Sequence, residues 1–278
     1  MKADLINLSD YIYTGEGANG ESFNNKNDET IMLKLYYERF ELNNIIHEIE
    51  QAQKVYDAGI PTPKPGKLVT DGNGRYGILF QRIVNKKSFA RLCGENPENV
   101  EQYAREFGKM CKELHSVHFK EGYFDNEKEK ELKRLQKNPY FTEEEREKVK
   151  RFIENIPDAD TAIHGDLHFG NAITTGNEHF FIDIGDFSMG HPYLDLGMVL
   201  LTCIYEDNEF LTTQFHTDKK TAAQFWKYFV KEYFGENESP EKWHDILLPF
   251  AGLKVLLIEL YAGTYFPQYH KLLEGITK

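Results

Sequence analysis

Positive charge is in short supply in this chain of 278 residues: Lys and Arg total 33 against 45 Asp and Glu, a formal net charge of -12. A nucleic-acid-binding surface is disfavoured, because a phosphate backbone calls for clustered cations. An acidic balance suits a cationic small molecule but identifies no partner by itself. Cysteine is also scarce. Cys93, Cys111 and Cys203 are far apart, odd in number and set in apolar stretches. That pattern fits reduced core thiols rather than disulfides or a zinc site, and it predicts a cytoplasmic protein. Long apolar runs are missing: the stretch 246–262 is interrupted by Pro249, Lys254 and Glu259, and predicts a pair of core helices rather than a membrane span. Residues 1–13 show no basic flank followed by an apolar block, so no secretory signal is expected. There is no internal repeat.

What is present has the length for one large domain or two modest ones. The first eighty residues predict strands around one helix. A glycine-rich segment spans 13–21, and a short apolar strand covers 30–36. Leu42, Ile45, Ile46, Ile49, Ala52 and Tyr56 then recur at helical spacing until Gly59, Pro61 and Pro63 stop the pattern. Strands at 67–70 and 76–80 flank the turn Asp71-Gly72-Asn73-Gly74. After Asn85 the character becomes helical, with Val100, Tyr103, Ala104, Phe107, Met110, Cys111, Leu114 and Val117 on one face. The division therefore falls near 84–87, giving domains at 1–84 and 85–278. The charged stretch 126–150 predicts a solvated helical segment with no chemistry. Residues 161–163 lead into His164-Gly165-Asp166-Leu167-His168-Phe169-Gly170-Asn171. Two short strands around Gly176-Asn177 follow, the second ending in Ile182-Asp183-Ile184-Gly185. Beyond Pro192 the chain is helical, and 194–205 is apolar nearly all round, as in a helix buried at a core centre.

Transfer of a phosphoryl group to a hydroxyl needs a carboxylate to orient the hydroxyl and take its proton, and oxygen ligands for a magnesium ion. Asp166, Asn171 and Asp183 supply such a set. Together His164-Gly165-Asp166, Asn171 and Asp183-Ile184-Gly185 resemble the catalytic and metal-binding loops of the aminoglycoside phosphotransferase and choline kinase group, relatives of the protein kinases. Upstream, Gly15-Glu16-Gly17-Ala18-Asn19-Gly20 resembles the kinase glycine loop, and Lys34 resembles the lysine that contacts the α- and β-phosphates. In that fold a glutamate from the next helix holds the lysine. Projected at about 100° per residue, Glu48 falls inside the arc of Ile45, Ala52 and Val55 while Glu50 falls outside, so Glu48 is the expected partner.

The resemblance implies an α+β, bilobal protein-kinase-like fold. Residues 1–84 would form a mixed strand-and-helix nucleotide-binding lobe, and 85–278 a mainly helical catalytic and substrate-binding lobe. It implies phosphates at Gly15, Gly17, Gly20 and Lys34, and a purine met by backbone groups of Gln81 and Ile83. Reading the base by backbone leaves ATP and GTP equivalent. Asn171 and Asp183 would hold Mg2+, Asp166 would act as catalytic base, and His164 and Asp195 would support the loop, Asp195 through backbone amides. The acceptor would be a small molecule such as an aminoglycoside, amino alcohol or sugar. Where protein kinases carry arginine and lysine around the aspartate, this chain has Gly165 and His168. It also has no Ala-Pro-Glu sequence, so no protein substrate is expected. Nor is a membrane or a nucleic acid.

Taken singly, these residues have ordinary explanations: a plain turn for the glycines, a solvated Lys34, a turn-capping Asp183, a core histidine at 164. Their order across 15–195 carries the resemblance. His115, His118 and His191 read as packing or surface residues, His168 as structural, and the aromatic stretch 225–234 as core. Two alternatives stand beside the kinase reading. One is a metal-dependent hydrolase using His164, Asp166 and His168; the other is a catalytically silent nucleotide-binding module of the same fold.

Overall fold

The computed structural model describes residues 2–17 and 19–277. Ala18, within the expected glycine loop, lies outside the described residues. In chain order the strands and helices begin with β1 (Asp4–Leu5), β2 (Tyr11–Glu16), β3 (Gly20–Asn25), β4 (Ile31–Tyr36), α1 (Leu42–Asp57), β5 (Pro65–Thr70), β6 (Tyr76–Gln81) and β7 (Lys87–Ser88). They continue with α2 (Phe89–Glu95), α3 (Val100–His115), α4 (Glu127–Lys137), α5 (Glu143–Glu154), β8 (Thr161–Ile163), β9 (Ala172–Thr174), β10 (His179–Phe181) and β11 (Ser188–Gly190). The larger C-terminal helices are α6 (Tyr193–Leu200), α7 (Asn208–Gln214), α8 (Lys219–Phe234), α9 (Pro240–Leu253) and α10 (Val255–Ala262). Two compact units result: Met1–Lys87 with Ile173–Gly185, and Ser88–Ala172 with Asp186–Lys278. The β9–β10 hairpin thus groups with the first unit, although it follows the loop that carries Asp166.

The first unit is built on a six-stranded sheet in the order β1-β5-β6-β4-β3-β2, antiparallel except where β1 runs parallel to β5. Alternation along β4 sorts its side chains. Leu33 and Leu35 go to one face, where Val69 joins them in a buried cluster. Tyr36 goes to the other and packs with Ile45 and Ile49 of α1 and with Leu68 and Ile78. Lys34, two residues before Tyr36, shares the α1 side. Burying each of these aliphatic side chains contributes about 2 kcal/mol.

The second unit is mostly helical. The apolar stripe of α3 packs on α8, with Phe107 lying 5.6 Å from both Phe225 and Phe229 between ring centroids. The aromatic stretch 225–234 therefore contributes to the core. Residues 194–200 are all buried, but the α-helical pattern ends at Leu200 and one π-type turn, Leu201–Tyr205, completes the segment. All three cysteines are buried and free.

The stretch 126–150 departs from expectation. It forms α4 and the start of α5 rather than one solvated segment, and α4 buries Glu127, Glu131 and Arg134. At about 3.6 residues per turn, positions 127, 131 and 134 share a helix face, and that face turns inward. Among the described residues, no helix is long and apolar enough to cross a membrane.

Candidate active site

In the first unit Lys34 Nζ donates to Glu48 Oε1 at 2.9 Å and approaches Asp183 Oδ1 at 3.4 Å. Both partners follow from local geometry. The period of two on β4 aims Lys34 at α1, and the helical period brings Glu48 to the same side as Ile45 and Ala52. The side chains of Lys34 and Glu48 are 19% and 20% exposed, and that of Asp183 is 59% exposed. Burial acts against the Lys34 charge, but Asp183 and Glu48 outweigh it and its pKa rises above the ordinary lysine value. Asp183 does not end a strand as expected: β10 stops at Phe181, and Asp183 takes φ 55°. A non-glycine residue there is uncommon and costs on the order of 1–3 kcal/mol, a conformation that clusters at functional positions.

The expected glycine loop is the β2–β3 hairpin, with the Gly17 N–H donating to the Gly20 carbonyl at 2.8 Å. A Cβ at Gly15 or Gly17 would meet nothing within 4 Å, whereas at Gly20 it would lie 2.3 Å from the Leu35 carbonyl oxygen. Gly20 is therefore glycine because β4 passes against it, whereas Gly15 and Gly17 have empty space beside the backbone. At the expected purine contact, the Gln81 N–H already donates to Lys64 O at 2.9 Å and the Arg82 N–H to Thr30 O at 2.7 Å. Ile83 lies beyond the strand, its N–H making no backbone hydrogen bond among the described residues.

The second unit holds the loop 164–171. Asp195, fully buried, accepts the His164 N–H on Oδ2 at 2.7 Å and the Gly165 N–H on Oδ1 at 2.8 Å. The Asp166 N–H donates to His164 Nδ1 at 3.3 Å. Asn171 Nδ2 donates to the Asp166 carbonyl and to Asp166 Oδ2, both at 3.0 Å. No hydrogen bond reaches Asn171 Oδ1 among the described residues. His168 Nδ1 accepts the Gly170 N–H at 3.1 Å, and its Nε2 lies 3.7 Å from Asp166 Oδ2. Burial acts to raise the Asp166 carboxyl. Charge and hydrogen bonding from His168, with further charge from His164 and Lys254, outweigh it, and the group stays well below the usual carboxylate range.

Gly165 has φ +89°, and a Cβ there would lie 2.4 Å from the Asp186 carbonyl oxygen. The arginine of the protein kinases has no room at this position. The hydrolase alternative also loses its ligand set. His164 and His168 each turn Nδ1 to a backbone N–H, and among the described residues no three His, Cys, Asp or Glu side chains are placed to hold a metal ion. Asn171 and Asp183 offer oxygen donors only, the chemistry a hard cation such as Mg2+ takes.

Two supports were not foreseen. His115 is buried, its Nε2 3.1 Å from Asp195 Oδ2 and its Nδ1 2.7 Å from the Tyr233 hydroxyl. A carboxylate only accepts, so Nε2 carries a proton toward Asp195. Lys254 has no exposed surface, and its Nζ donates to the Gly165 carbonyl at 3.2 Å. Position alone signalled it, as a lysine inside an apolar stretch.

The sheet-and-helix unit and the mostly helical unit are those of a kinase-like fold, and the sequence is that of a phosphotransferase. The chain belongs to the phosphotransferase enzyme family, whose pattern matches residues 23–228. Similar solved structures include amicoumacin kinase hAmiN in complex with AMP-PNP, Ca2+ and Ami (16% identity, 99% of this chain and 89% of that one, TM-score 0.57). Another is a choline/ethanolamine kinase family protein from Mesorhizobium loti (16% identity, 95% and 88%, TM-score 0.57). A third is a thermostable mutant of aminoglycoside phosphotransferase APH(4)-Ia in ternary complex with ADP and hygromycin B (12% identity, 97% and 93%, TM-score 0.63). At these identities the likeness is one of fold. No curated protein sequence matches the chain.

Proposed function

We propose that this phosphotransferase moves the γ-phosphate of ATP to a hydroxyl of a small molecule. The observation that carries the reading is the contact of Lys34 with both Glu48 and Asp183. A lysine held by one carboxylate, beside a second that is mostly exposed and in a strained conformation, is equipped to meet a phosphate chain and its counter-ion. In this reading Lys34 binds the α- and β-phosphates, with unobstructed space beside Gly15 and Gly17, and the Ile83 N–H with the Gln81 carbonyl meets the purine. Asn171 and Asp183 would hold Mg2+, which when bound neutralises phosphate charge. Asp166 orients the acceptor hydroxyl and takes its proton as the oxygen bonds to the γ-phosphorus and ADP leaves. Its depressed pKa keeps the carboxylate ionised and able to accept. The acidic balance of the chain favours an acceptor bearing an amine, in the range of aminoglycosides, amino alcohols and amino sugars. The cytoplasm is the compartment that the reduced thiols suit.

Thermal unfolding with ATP or GTP, each with magnesium, followed by nucleotide consumption across a panel of hydroxyl-bearing acceptors, tests the reading. A magnesium-dependent rise in Tm with ATP and acceptor-stimulated ADP formation is expected. Hydrolysis of a phosphate ester without nucleotide, or no shift with either nucleotide, would refute it.

A further inference from the structure

Among the described residues Lys254 is the one buried lysine. It sits where α9 gives way to α10. A cation out of water is costly unless it is paired and hydrogen-bonded, so its partners indicate what it does. One is Glu131 Oε1 at 3.9 Å. Glu131 belongs to a connected set. Arg134 Nη1 donates to Glu127 Oε1 at 2.7 Å and Glu131 Oε1 at 3.0 Å, and its Nη2 to Asp186 Oδ1 at 2.9 Å. Lys130 Nζ lies 3.3 Å from Glu127 Oε2, which also accepts the Ser188 hydroxyl at 2.6 Å. The cations Lys130, Arg134 and Lys254 thus face Glu127, Glu131 and Asp186, and by residue type the charges balance.

The other partner is the Gly165 carbonyl. That carbonyl belongs to the peptide joining Gly165 to Asp166, and the N–H at the far end of the same peptide is held by His164 Nδ1. The preceding peptide is held by Asp195. Gly165 has the widest backbone freedom of any residue, and it directly precedes Asp166. Among the described residues no hydrogen bond other than that of Lys254 holds the 165–166 peptide on its carbonyl side.

We propose that Lys254 is a positioning residue for Asp166: it locks the 165–166 peptide so that the carboxylate is presented in one orientation. Lying fully buried, Lys254 does not itself contact phosphate. The role rests on the phosphotransfer reading, which gives Asp166 the acceptor's proton, whereas the backbone contact does not.

The test compares wild type with Lys254→Met and Lys254→Arg, and with Lys254→Met/Glu131→Gln, which removes the partner charge should the single variant not fold. Lys254→Met, or the double variant, is expected to lower kcat about 10- to 100-fold, the scale of a small misplacement of a catalytic group. KM for ATP should stay within about twofold, and Lys254→Arg should recover part of the loss. Backbone NMR should show the Gly165 carbonyl and Asp166 amide resonances shifted in the methionine variants, with those around Lys34 unmoved. Wild-type kcat in a folded methionine variant would overturn the proposal, as would a parallel loss of ATP protection. Should the wild type transfer no phosphate to any acceptor, the functional reading fails instead. The Gly165 carbonyl resonance then decides the contact alone, and an unmoved signal overturns it.

Discussion

Lys34 and Lys254 are both lysines brought against glutamates, one in each unit. Lys34 lies 2.9 Å from Glu48 and 3.4 Å from an aspartate that is 59% exposed. Lys254, with no exposed surface, lies 3.9 Å from a buried glutamate and donates to the chain itself. The first cluster is open on one side, so its charge can still act on a ligand. The second is closed, and its charge acts on the backbone. Ion pairs of similar composition thus leave their charge open to solvent in one place and turn it to the backbone in the other, and exposure of the third partner separates them.

The sharpest way to break that comparison is to remove the groups each cluster serves. Asp166→Ala is expected to lower kcat about 10³-fold, the scale of a lost general base, with Tm nearly unchanged; a variant with wild-type turnover would remove Asp166 from the chemistry. Arg134→Ala strikes the closed cluster and leaves buried carboxylates without a partner. Chemical denaturation should show a loss of about 3–5 kcal/mol, and a change below about 1 kcal/mol would mean that α4 does not depend on its charges. Lys34→Met strikes the open cluster. It should cost only about 1 kcal/mol in stability while abolishing the Tm rise on adding ATP and magnesium.

A pH series separates the two clusters further. Burial acts to raise Glu127, but Lys130, Arg134 and Lys254, with the Ser188 hydroxyl, outweigh it and hold it below the ordinary glutamate value, while burial raises its neighbour Glu131. A carboxyl depressed in the folded state contributes stability above its unfolded value that is lost as the pH falls through the folded one. Acid unfolding should therefore steepen below pH 4.5, and Glu127→Gln should flatten that slope. The Lys34 pKa is raised, so its contribution is complete at neutral pH and is lost only in the alkaline range above 10.5. The smallest effect belongs to Glu50→Gln, on the exposed side of α1, where stability should stay within about 0.5 kcal/mol.

The open cluster was legible in the sequence because the resemblance to the kinase loops picks out Lys34 and Asp183, and the turn of α1, which depends on neighbouring residues alone, then selects Glu48 over Glu50. The contact of Asp195 with the loop was expected too, as the resemblance implied for an acid in that apolar helix. Asp183 was placed on the right segment but in the wrong conformation, since no local pattern announces a positive φ at a non-glycine residue. The closed cluster was missed for a different reason. Glu127, Glu131 and Arg134 share a helix face, but a charged face is read as solvent-facing by default. Only the tertiary partners Ser188, Asp186 and Lys254 show that it turns inward. Lys254 itself was read as an interruption of apolar sequence, when its departure from the pattern was the signal.

Gly165 ties the history of one loop to the path of another. Its missing side chain makes room for the backbone at Asp186, where an added Cβ would come within 2.4 Å of the carbonyl oxygen. Neither segment is free to drift by itself. A single mutation to arginine at 165 would collide with main chain, which no exchange of side chain at 186 relieves. Moving the main chain first would disturb the Arg134 and Tyr261 contacts that hold Asp186. A side chain at 165 is therefore accommodated only if the main chain at 186 moves with it.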